Sequence, residues 1–355
     1  MKKHNIVKKF FAVAAAAALT LSLGACTGGQ TQDSQPPQNE TQDVAGATQQ
    51  PAGGKTYKVA IIKQMDHASL DEIAEAVEKR LDEIAAGNGV TIEYETTSGQ
   101  NDQSTLKQLA DQAIADKVDV IIPIATAAAK VAALSAEDTK TPVVFAAVSY
   151  PADEKVQLIG IDHVTGTSDA LNTSFILDMM LAQNPDIQKV GLLYSLSEAN
   201  SAKPIEEAKV YLNGKGIAYT EQTANTNDEV IAAASALIAE GVDAVFTPTD
   251  NIIALAELAI YEDFIKAGIP HYTGADSFVR NGAFTTCGVN YTDVGRRTAD
   301  LAYQVLAQGM DGVEDFYLMD GGIITVNTET AAAMNIDYSV FSSMGTVVEV
   351  VTTED

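Results

Sequence analysis

The chain has 355 residues and carries 48 acidic against 22 basic side chains, a formal net charge of −26. A surface this acidic repels nucleic acid and anionic lipid headgroups, so neither is expected as a binding partner. The sequence has two cysteines, four histidines and no Cys/His cluster of metal-ligand spacing. It therefore predicts no metal site and no cofactor.

The first 25 residues predict an export signal. Lysines precede the alanine-rich apolar stretch Phe10–Leu23, which is too short for a good membrane span. The segment Leu23–Cys26 resembles the bacterial lipobox, in which cleavage leaves a lipid-modified cysteine at the new N-terminus. We therefore expect removal of residues 1–25 and acylation of Cys26. An ordinary signal peptide with an incidental cysteine is the alternative.

Residues 26–55 predict a disordered linker. Gln, Thr, Gly, Pro and Asp dominate this segment, which has almost nothing to bury. Together with an acylated Cys26, the linker places the expected mature protein on the extracytoplasmic face of the cell membrane. The lipid anchor would hold it there without a membrane-crossing segment.

From Lys55 onward, apolar strands alternate with amphipathic helices. The predicted strands are Lys58–Ile62, Val90–Tyr94, Val118–Ile124 and Val143–Val148. The predicted helices are Leu70–Ile84, Gln103–Asp116 and Ala127–Ala136. This order predicts a parallel sheet with helices on both faces and right-handed crossovers.

The same order of elements is then repeated. The second set of predicted strands is Lys189–Tyr194, Ile217–Thr220, Asp243–Pro248 and His271–Gly274. The second set of helices is Ala202–Asn213, Asp228–Ala239 and Ile252–Ala267. Four pairs of segments match in sequence order, among them Val118–Thr126 with Val242–Asp250. The fold class predicted is therefore α/β, with two similar Rossmann-like lobes and a cleft between them.

Three connections are predicted to link the lobes. A helix at Ser168–Leu181 leads into the second lobe, a helix at Val294–Gln308 returns to the first, and Phe316–Met334 crosses once more. Lobe 1 is then expected to comprise residues 56–165 and 292–320, and lobe 2 residues 166–291 and 321–340. A three-strand hinge of this kind lets two lobes rock as rigid bodies.

Ligands of parallel α/β sheets bind beyond the carboxyl ends of the strands, against helix N-termini. In lobe 1 the candidate ligand-binding residues at these positions are Gln64, His67, Thr126, Ala127, Ser149 and Tyr150. In lobe 2 they are Ser197, Asn200, Ser201, Asp250, Asp276 and Phe278.

The two walls of the predicted cleft differ in charge. Thr126 and Ala127 open a helix, where free N–H groups and small side chains favour an anion. Asp250 and Asp276 lie at strand ends of the other wall and favour a cation. A zwitterion such as an amino acid would bridge the walls. The alternatives are that Thr126 and Asp250 are only helix caps and Asp276 only a turn residue.

The remaining candidates have open roles. Tyr150 and Phe278 occupy matched positions and are expected to stack on the ligand, with core or rim packing as the alternative. Gln64 and His67 are expected to contact the ligand or close the rim. Asn200 and Ser201 either donate to a ligand carboxylate or cap a helix.

At this point the chain resembles a known family, the extracellular substrate-binding proteins of ABC importers with the type I periplasmic-binding-protein fold. It most resembles the branch associated with uptake of tryptophan, tyrosine and related amino acids. The segments that carry the resemblance are Ile61–His67, Gln103–Leu106, Ile124–Ala128, Ser197–Ser201, Pro248–Asn251 and Gly274–Ser277. The resemblance implies capture of an amino acid, aromatic or otherwise apolar. It also implies a membrane permease and an ATPase as partners.

Two other functional classes are weighed against this one. An enzyme is not expected, because no histidine stands in a motif with Ser or Cys. A sugar- or nucleoside-binding protein of the same fold is the alternative function. The absence of Trp and the scarcity of Arg argue against a sugar.

Overall fold

The computed structural model describes residues Gly54–Thr353. The predicted signal and the lipobox with Cys26 lie outside the described residues. The first elements alternate between strand and helix, as the sequence pattern predicts. They are β1 (Thr56–Lys63), α1 (Ala68–Asn88), β2 (Thr91–Ser98), α2 (Gln103–Ala115), β3 (Val120–Ile124), α3 (Thr126–Ser135), β4 (Val143–Phe145) and β5 (Val164–Ser168).

A second series follows with the same alternation. It consists of α4 (Thr173–Gln183), β6 (Lys189–Tyr194), α5 (Ala199–Lys215), β7 (Ala218–Thr223), α6 (Asn227–Ala239), β8 (Ala244–Thr247), α7 (Asn251–Ala267), β9 (His271–Thr273), α8 (Asp276–Arg280) and β10 (Thr285–Gly288). The C-terminal elements are α9 (Tyr291–Gln308), β11 (Tyr317–Leu318), β12 (Ile323–Asn327), α10 (Thr328–Ala333), a 3₁₀ helix (Ser339–Ser343) and β13 (Thr346–Val350).

The strands form two sheets with the same internal order. The first sheet runs β11-β5-β4-β3-β1-β2, and all its strand pairs are parallel. The second runs β13-β12-β10-β9-β8-β6-β7, with an antiparallel pair only between β10 and β12 among the described strands. In each sheet the first strand of the repeat lies between the second and the third. The predicted fold class, two Rossmann-like lobes with largely parallel sheets, is confirmed.

This strand order fixes where a ligand can bind. A doubly wound sheet has its crevice where the strand order reverses, beyond the carboxyl ends of the strands. In the first sheet that point lies between β1 and β3, and in the second between β6 and β8. The two crevices belong to the two walls of one cleft.

The described chain passes between the sheets three times. The passages lie between β5 and α4, between β10 and α9, and between β11 and β12. Helix α9 returns to the first lobe and packs against α1, as predicted. At this contact a Cβ on Gly295 would lie 2.5 Å from the carbonyl oxygen of Ile73, so the two helices approach each other only because residue 295 is glycine.

Two elements differ from the prediction. The helix expected from Ser168 begins at Thr173, because Val164–Ser168 forms β5 and the side chain of Asn172 caps the helix by accepting from the Phe175 N–H. Strand β13 lies beyond residue 340, the predicted end of lobe 2, and pairs with β12. The pattern of β13 is hard to detect because it has no fully buried residue.

No helix within Gly54–Thr353 is long and apolar enough to cross a membrane. In the same range, no group of His, Cys, Asp and Glu side chains is arranged to hold a metal ion.

Candidate functional site

A small cavity lies between the two lobes, at the carboxyl ends of both sheets. Its volume is about 20 Å³, and a cavity needs roughly 10–15 Å³ to hold one water molecule. Six of the twelve predicted site residues line it: His67, Thr126, Ser149, Asn200, Asp250 and Phe278. The structure thus brings half of the predicted site into one cavity.

The Thr126 side of the cavity has unused polar capacity. Thr126 opens α3 and is buried, and its Oγ1 has no hydrogen-bond partner in the structure. The preceding residue, Ala125, has a φ of 77° and a ψ of 163°, a conformation that alanine rarely adopts. Ala127 does not line the cavity, and its N–H donates to the side-chain oxygen of Gln64 at 3.2 Å. At the start of α3, the Thr126 hydroxyl is therefore available to a ligand, whereas the Ala127 N–H is already bonded to Gln64.

Asp250 is a helix cap in the structure. One carboxylate oxygen accepts from the N–H groups of Ile252 and Ile253, both at 3.1 Å. The other accepts from the Ser195 N–H at 2.7 Å and the Ser201 hydroxyl at 2.6 Å. Four hydrogen bonds use most of the acceptor capacity of a carboxylate. The cap interpretation of Asp250 is the one that the structure shows, and little capacity is left for a ligand ammonium.

Asp276 does not line the cavity, although its neighbours Ala275 and Ser277 do. It is the first residue of α8, and its carboxylate pairs with Arg280 at 3.1 Å. Burial raises its pKa, and the Arg280 charge partly offsets this rise. One carboxylate oxygen of Asp276 thus pairs with Arg280, while Oδ1 is buried without a hydrogen-bond partner. A contact between Asp276 and the ligand stays a prediction.

A carboxylate that the sequence prediction missed lies in the cavity instead. Asp169 follows β5 on the first passage between the lobes, lines the cavity and is 4% exposed. It accepts from the Ser149 hydroxyl at 2.9 Å and from the Tyr291 hydroxyl at 3.2 Å. Burial raises its pKa, and no basic side chain of the described residues pairs with it. Asp169 is thus a buried acid that lacks a cation.

The other predicted residues lie around the cavity. Tyr150 borders a neighbouring groove of about 420 Å³, and its hydroxyl donates to the Leu171 carbonyl at 3.4 Å. Phe278 does line the cavity, so the expected pair of rings does not meet in one space. The Ser197 hydroxyl bonds to that of Ser195 at 2.7 Å, and Asn200 donates to the Thr249 carbonyl at 2.5 Å.

The lobes touch each other directly around the cavity. His67 Nε2 lies 2.9 Å from Asn251 Oδ1, and the Ser69 hydroxyl donates to that of Ser277 at 2.6 Å. In each pair the first residue belongs to lobe 1 and the second to lobe 2. Two further pairs, Ser149 with Thr249 at 3.1 Å and Glu72 with Arg280 at 2.8 Å, also cross the cleft. The described lobes are therefore closed on each other.

Gln64 and Glu198 form another contact across the cleft. Gln64 Nε2 donates to Glu198 Oε1 at 2.8 Å, and both side chains are buried. Glu198 was not among the predicted ligand-binding residues, although it lies in the segment Ser197–Ser201 that carries the family resemblance. Its burial raises its pKa to about 7, with the charge of Asp250 as the second cause. Gln64 thus closes the rim, one of the two roles expected for it.

Two lobes around a hinge, with a polar cavity at their strand ends, define a two-lobed solute-binding protein. Residues 58–341 match the family model described as ABC transporter substrate binding protein. The chain belongs to that family.

Relatives agree with this assignment. The chain is 26% identical over 303 residues to a tyrosine-binding protein of Clostridioides difficile (strain R20291), a match that covers 84% of this chain and 87% of the relative.

Two solved structures are also similar. One is an ABC domain from Streptococcus pneumonia in complex with L-Trp, at 25% identity and a TM-score of 0.76, covering 83% of this chain and 100% of that chain. The other is the ligand-free, open structure of a substrate-binding protein with adhesive properties from Clostridium difficile. Its identity is 26% and its TM-score 0.63, over 84% of this chain and 100% of that chain. The two sequence identities are nearly equal, but the TM-score is higher for the complex than for the open structure. This difference agrees with the closed lobes of the present structure.

Proposed function

We propose that this protein captures an amino acid between its two lobes for an ABC importer, with an aromatic amino acid as the preferred ligand. The observation that carries the proposal is that one buried cavity is lined by two side chains whose polar capacity is not fully used. Asp169 is an acid without a cation, and Thr126 has a buried hydroxyl without a partner at a helix N-terminus. An amino acid supplies an ammonium to the first and a carboxylate to the second.

The preference for an aromatic side chain rests on the relatives, one named a tyrosine-binding protein and one solved with L-Trp. A cavity of about 20 Å³ is too small for such a side chain in the closed conformation. The ligand therefore binds while the lobes are apart, and the lobes then close around it with a wider spacing than in the described conformation.

The partners follow from the family. A permease in the membrane and an ATPase would complete the importer, and acylated Cys26 would hold the binding protein at the extracytoplasmic face. The protein binds its ligand without turning it over. The proposed rigid bodies of closure are the two lobes expected from the sequence, except that lobe 1 extends to Ser168 at the end of β5 and lobe 2 extends to β13.

A ligand screen tests the proposal. The purified protein is heated with each of the standard amino acids, a set of sugars and a set of nucleosides, and hits are measured by calorimetry. We expect L-tyrosine or L-tryptophan to give the largest stabilisation, as expected for a ligand that binds only the folded state. The proposal fails if no amino acid stabilises the protein, if a sugar or nucleoside does so instead, or if any ligand is converted.

A further inference from the structure

Glu198 has an unusual position for a buried acid. It precedes α5 as its N-cap residue, yet its side chain makes no capping hydrogen bond. The side chain instead lies in the interface between the lobes and is 6% exposed. One carboxylate oxygen accepts from Gln64 Nε2 of lobe 1 at 2.8 Å, and the other accepts from Asn251 Nδ2 of lobe 2 at 2.7 Å. Glu198 does not line the ligand cavity.

Both donors to Glu198 are held in place by lobe 1. The amide oxygen of Gln64 accepts from the Ala127 N–H, and its nitrogen also donates to Asn101 at 3.1 Å. The amide oxygen of Asn251 lies 2.9 Å from His67 Nε2. Since the Asn251 nitrogen donates to Glu198, its oxygen must accept, which assigns the imidazole proton to Nε2 of His67. Burial lowers the pKa of His67, so the ring is neutral.

These contacts form a chain across the cleft from Gln64 through Glu198 and Asn251 to His67. We name these four residues the Glu198 clasp. It begins and ends in lobe 1 and passes through two residues of lobe 2. Opening the lobes breaks it at two points, Gln64–Glu198 and Asn251–His67.

We propose that Glu198 is the positioning residue of lobe closure, which fastens the lobes through the clasp and thereby sets ligand affinity without touching the ligand. This inference rests on the proposed function only for the ligand. The closing of the lobes themselves can be measured with no ligand present.

The clasp makes closure depend on pH. Burial, followed by the charge of Asp250, raises the pKa of Glu198 to about 7 in the closed state. The ionisable groups that face it are Asp250 at the start of α7 and His67 across the cleft, through Asn251. Opening exposes Glu198 to water and returns its pKa towards the ordinary value for Glu, roughly 4.3. The closed state then binds the proton more tightly, so closure is favoured as the pH falls through 7.

The size of the effect follows from these two pKa values. Taken alone, Glu198 is expected to raise the ratio of closed to open protein on the order of tenfold between pH 8.5 and pH 5.5. Burial lowers the pKa of His67 in the closed state, so His67 acts in the opposite direction. The contribution of Glu198 is therefore the difference between the parent and Glu198→Gln. A residue that only supports the fold would change the melting temperature and leave this pH dependence intact.

Distances between spin labels, one in each lobe, test the proposal. The labels are placed on Gln108→Cys and Ala232→Cys, two exposed positions, in full-length protein with Cys26→Ala and Cys287→Ser. The parent, Glu198→Ala, Glu198→Gln and the control Glu206→Gln are measured without ligand from pH 5.5 to 8.5. Glu206 is an exposed acid of the same helix, α5, so its substitution makes the same change in charge.

As the pH falls, we expect the closed fraction of the parent and of Glu206→Gln to rise relative to that of Glu198→Gln, and Glu198→Ala to be more open than the parent throughout. Glu198→Gln keeps the size of the side chain and remains informative if Glu198→Ala does not fold. The same pH dependence of the closed fraction in the parent and in Glu198→Gln overturns the proposal. Calorimetry with L-tyrosine and L-tryptophan on the same variants is a separate measurement. If neither binds, the proposed function fails while the label distances still decide the role of Glu198.

Discussion

We expect the replacement of Asp169 by Asn to weaken ligand binding but to stabilise the protein in the absence of ligand. The opposite signs of these two effects allow them to be measured separately. In the unliganded protein Asp169 is a buried carboxylate with two hydroxyl donors, Ser149 and Tyr291, and no cation among the described residues. Asparagine has nearly the same size and keeps one accepting oxygen. The change removes the charge that the proposed ligand ammonium would meet.

The loss of affinity can be estimated from Coulomb's law. Two unit charges about 4 Å apart interact by roughly 4 kcal/mol at an effective dielectric constant near 20. Truncating one partner of a buried charge pair costs about 2–5 kcal/mol, or about thirtyfold to several thousandfold in affinity. We therefore expect Asp169→Asn to weaken binding of the ligand identified in the screen by at least thirtyfold.

The same substitution is expected to increase the stability of the protein in the absence of ligand. Because burial raises the pKa of Asp169 in the folded state, the folded protein loses stability as the pH rises through the unfolded pKa towards the folded one. Removing the charge should therefore stabilise the unliganded protein at pH 7, by about 1 kcal/mol. The gain should vanish below about pH 4, where Asp169 is protonated in both states.

The assay is calorimetry for affinity and thermal unfolding at pH 7 and pH 4 for stability. Asp250→Asn is the matched control, since Asp250 is also a buried acid of the cavity but caps α7 with four hydrogen bonds. It should lose about 1–2 kcal/mol of stability and less affinity than Asp169→Asn. Wild-type affinity in Asp169→Asn would refute the assignment of the ammonium site.

Three further outcomes are expected. Thr126→Val should weaken ligand binding by about 1 kcal/mol in calorimetry, because one hydroxyl contact is lost and the helix N-terminus stays; an unchanged Kd would leave Thr126 without a role. Gly295→Ala should lower the free energy of unfolding by about 1–3 kcal/mol in denaturant titration, because its Cβ would meet Ile73 of α1. Unchanged stability would mean that α1 and α9 can move apart without cost. Cys26→Ala should release the protein from the membrane fraction and abolish incorporation of labelled fatty acid, and unchanged fractionation would remove Cys26 as the anchor.

The sequence was sufficient for the architecture because each lobe repeats the same local patterns. Strand β3 is buried along its whole length, and continuous apolar runs of this kind mark parallel strands covered on both faces. The duplicated order of strands and helices then placed the cleft at the strand ends. Strand β13 was missed because it pairs at an edge of the sheet and carries only a partial apolar pattern.

The site was harder to predict because its chemistry depends on which carboxylates are already satisfied. Asp250 and Asp276 both stand at strand ends, but Asp250 caps α7 and one oxygen of Asp276 pairs with Arg280. Neither contact can be recognised without coordinates. Asp169 lies on a connection that was predicted as helix, and the only available clue was an acid directly after Val164–Ser168. The partners of Glu198 lie 134 and 53 positions away in sequence, so no local pattern reveals them.

The direct contacts between the lobes have a consequence for how fast ligand is captured. While His67 touches Asn251 and Ser69 touches Ser277, the cavity has no room for a solute to diffuse in from outside. Protein in this conformation must open before it can associate with solute, and where this conformation predominates the opening frequency sets an upper limit on the observed rate. At low concentration the capture rate grows with solute concentration, and at high concentration it reaches a plateau equal to the opening rate. Such a protein gains long retention of its cargo and gives up speed of uptake when the solute is abundant.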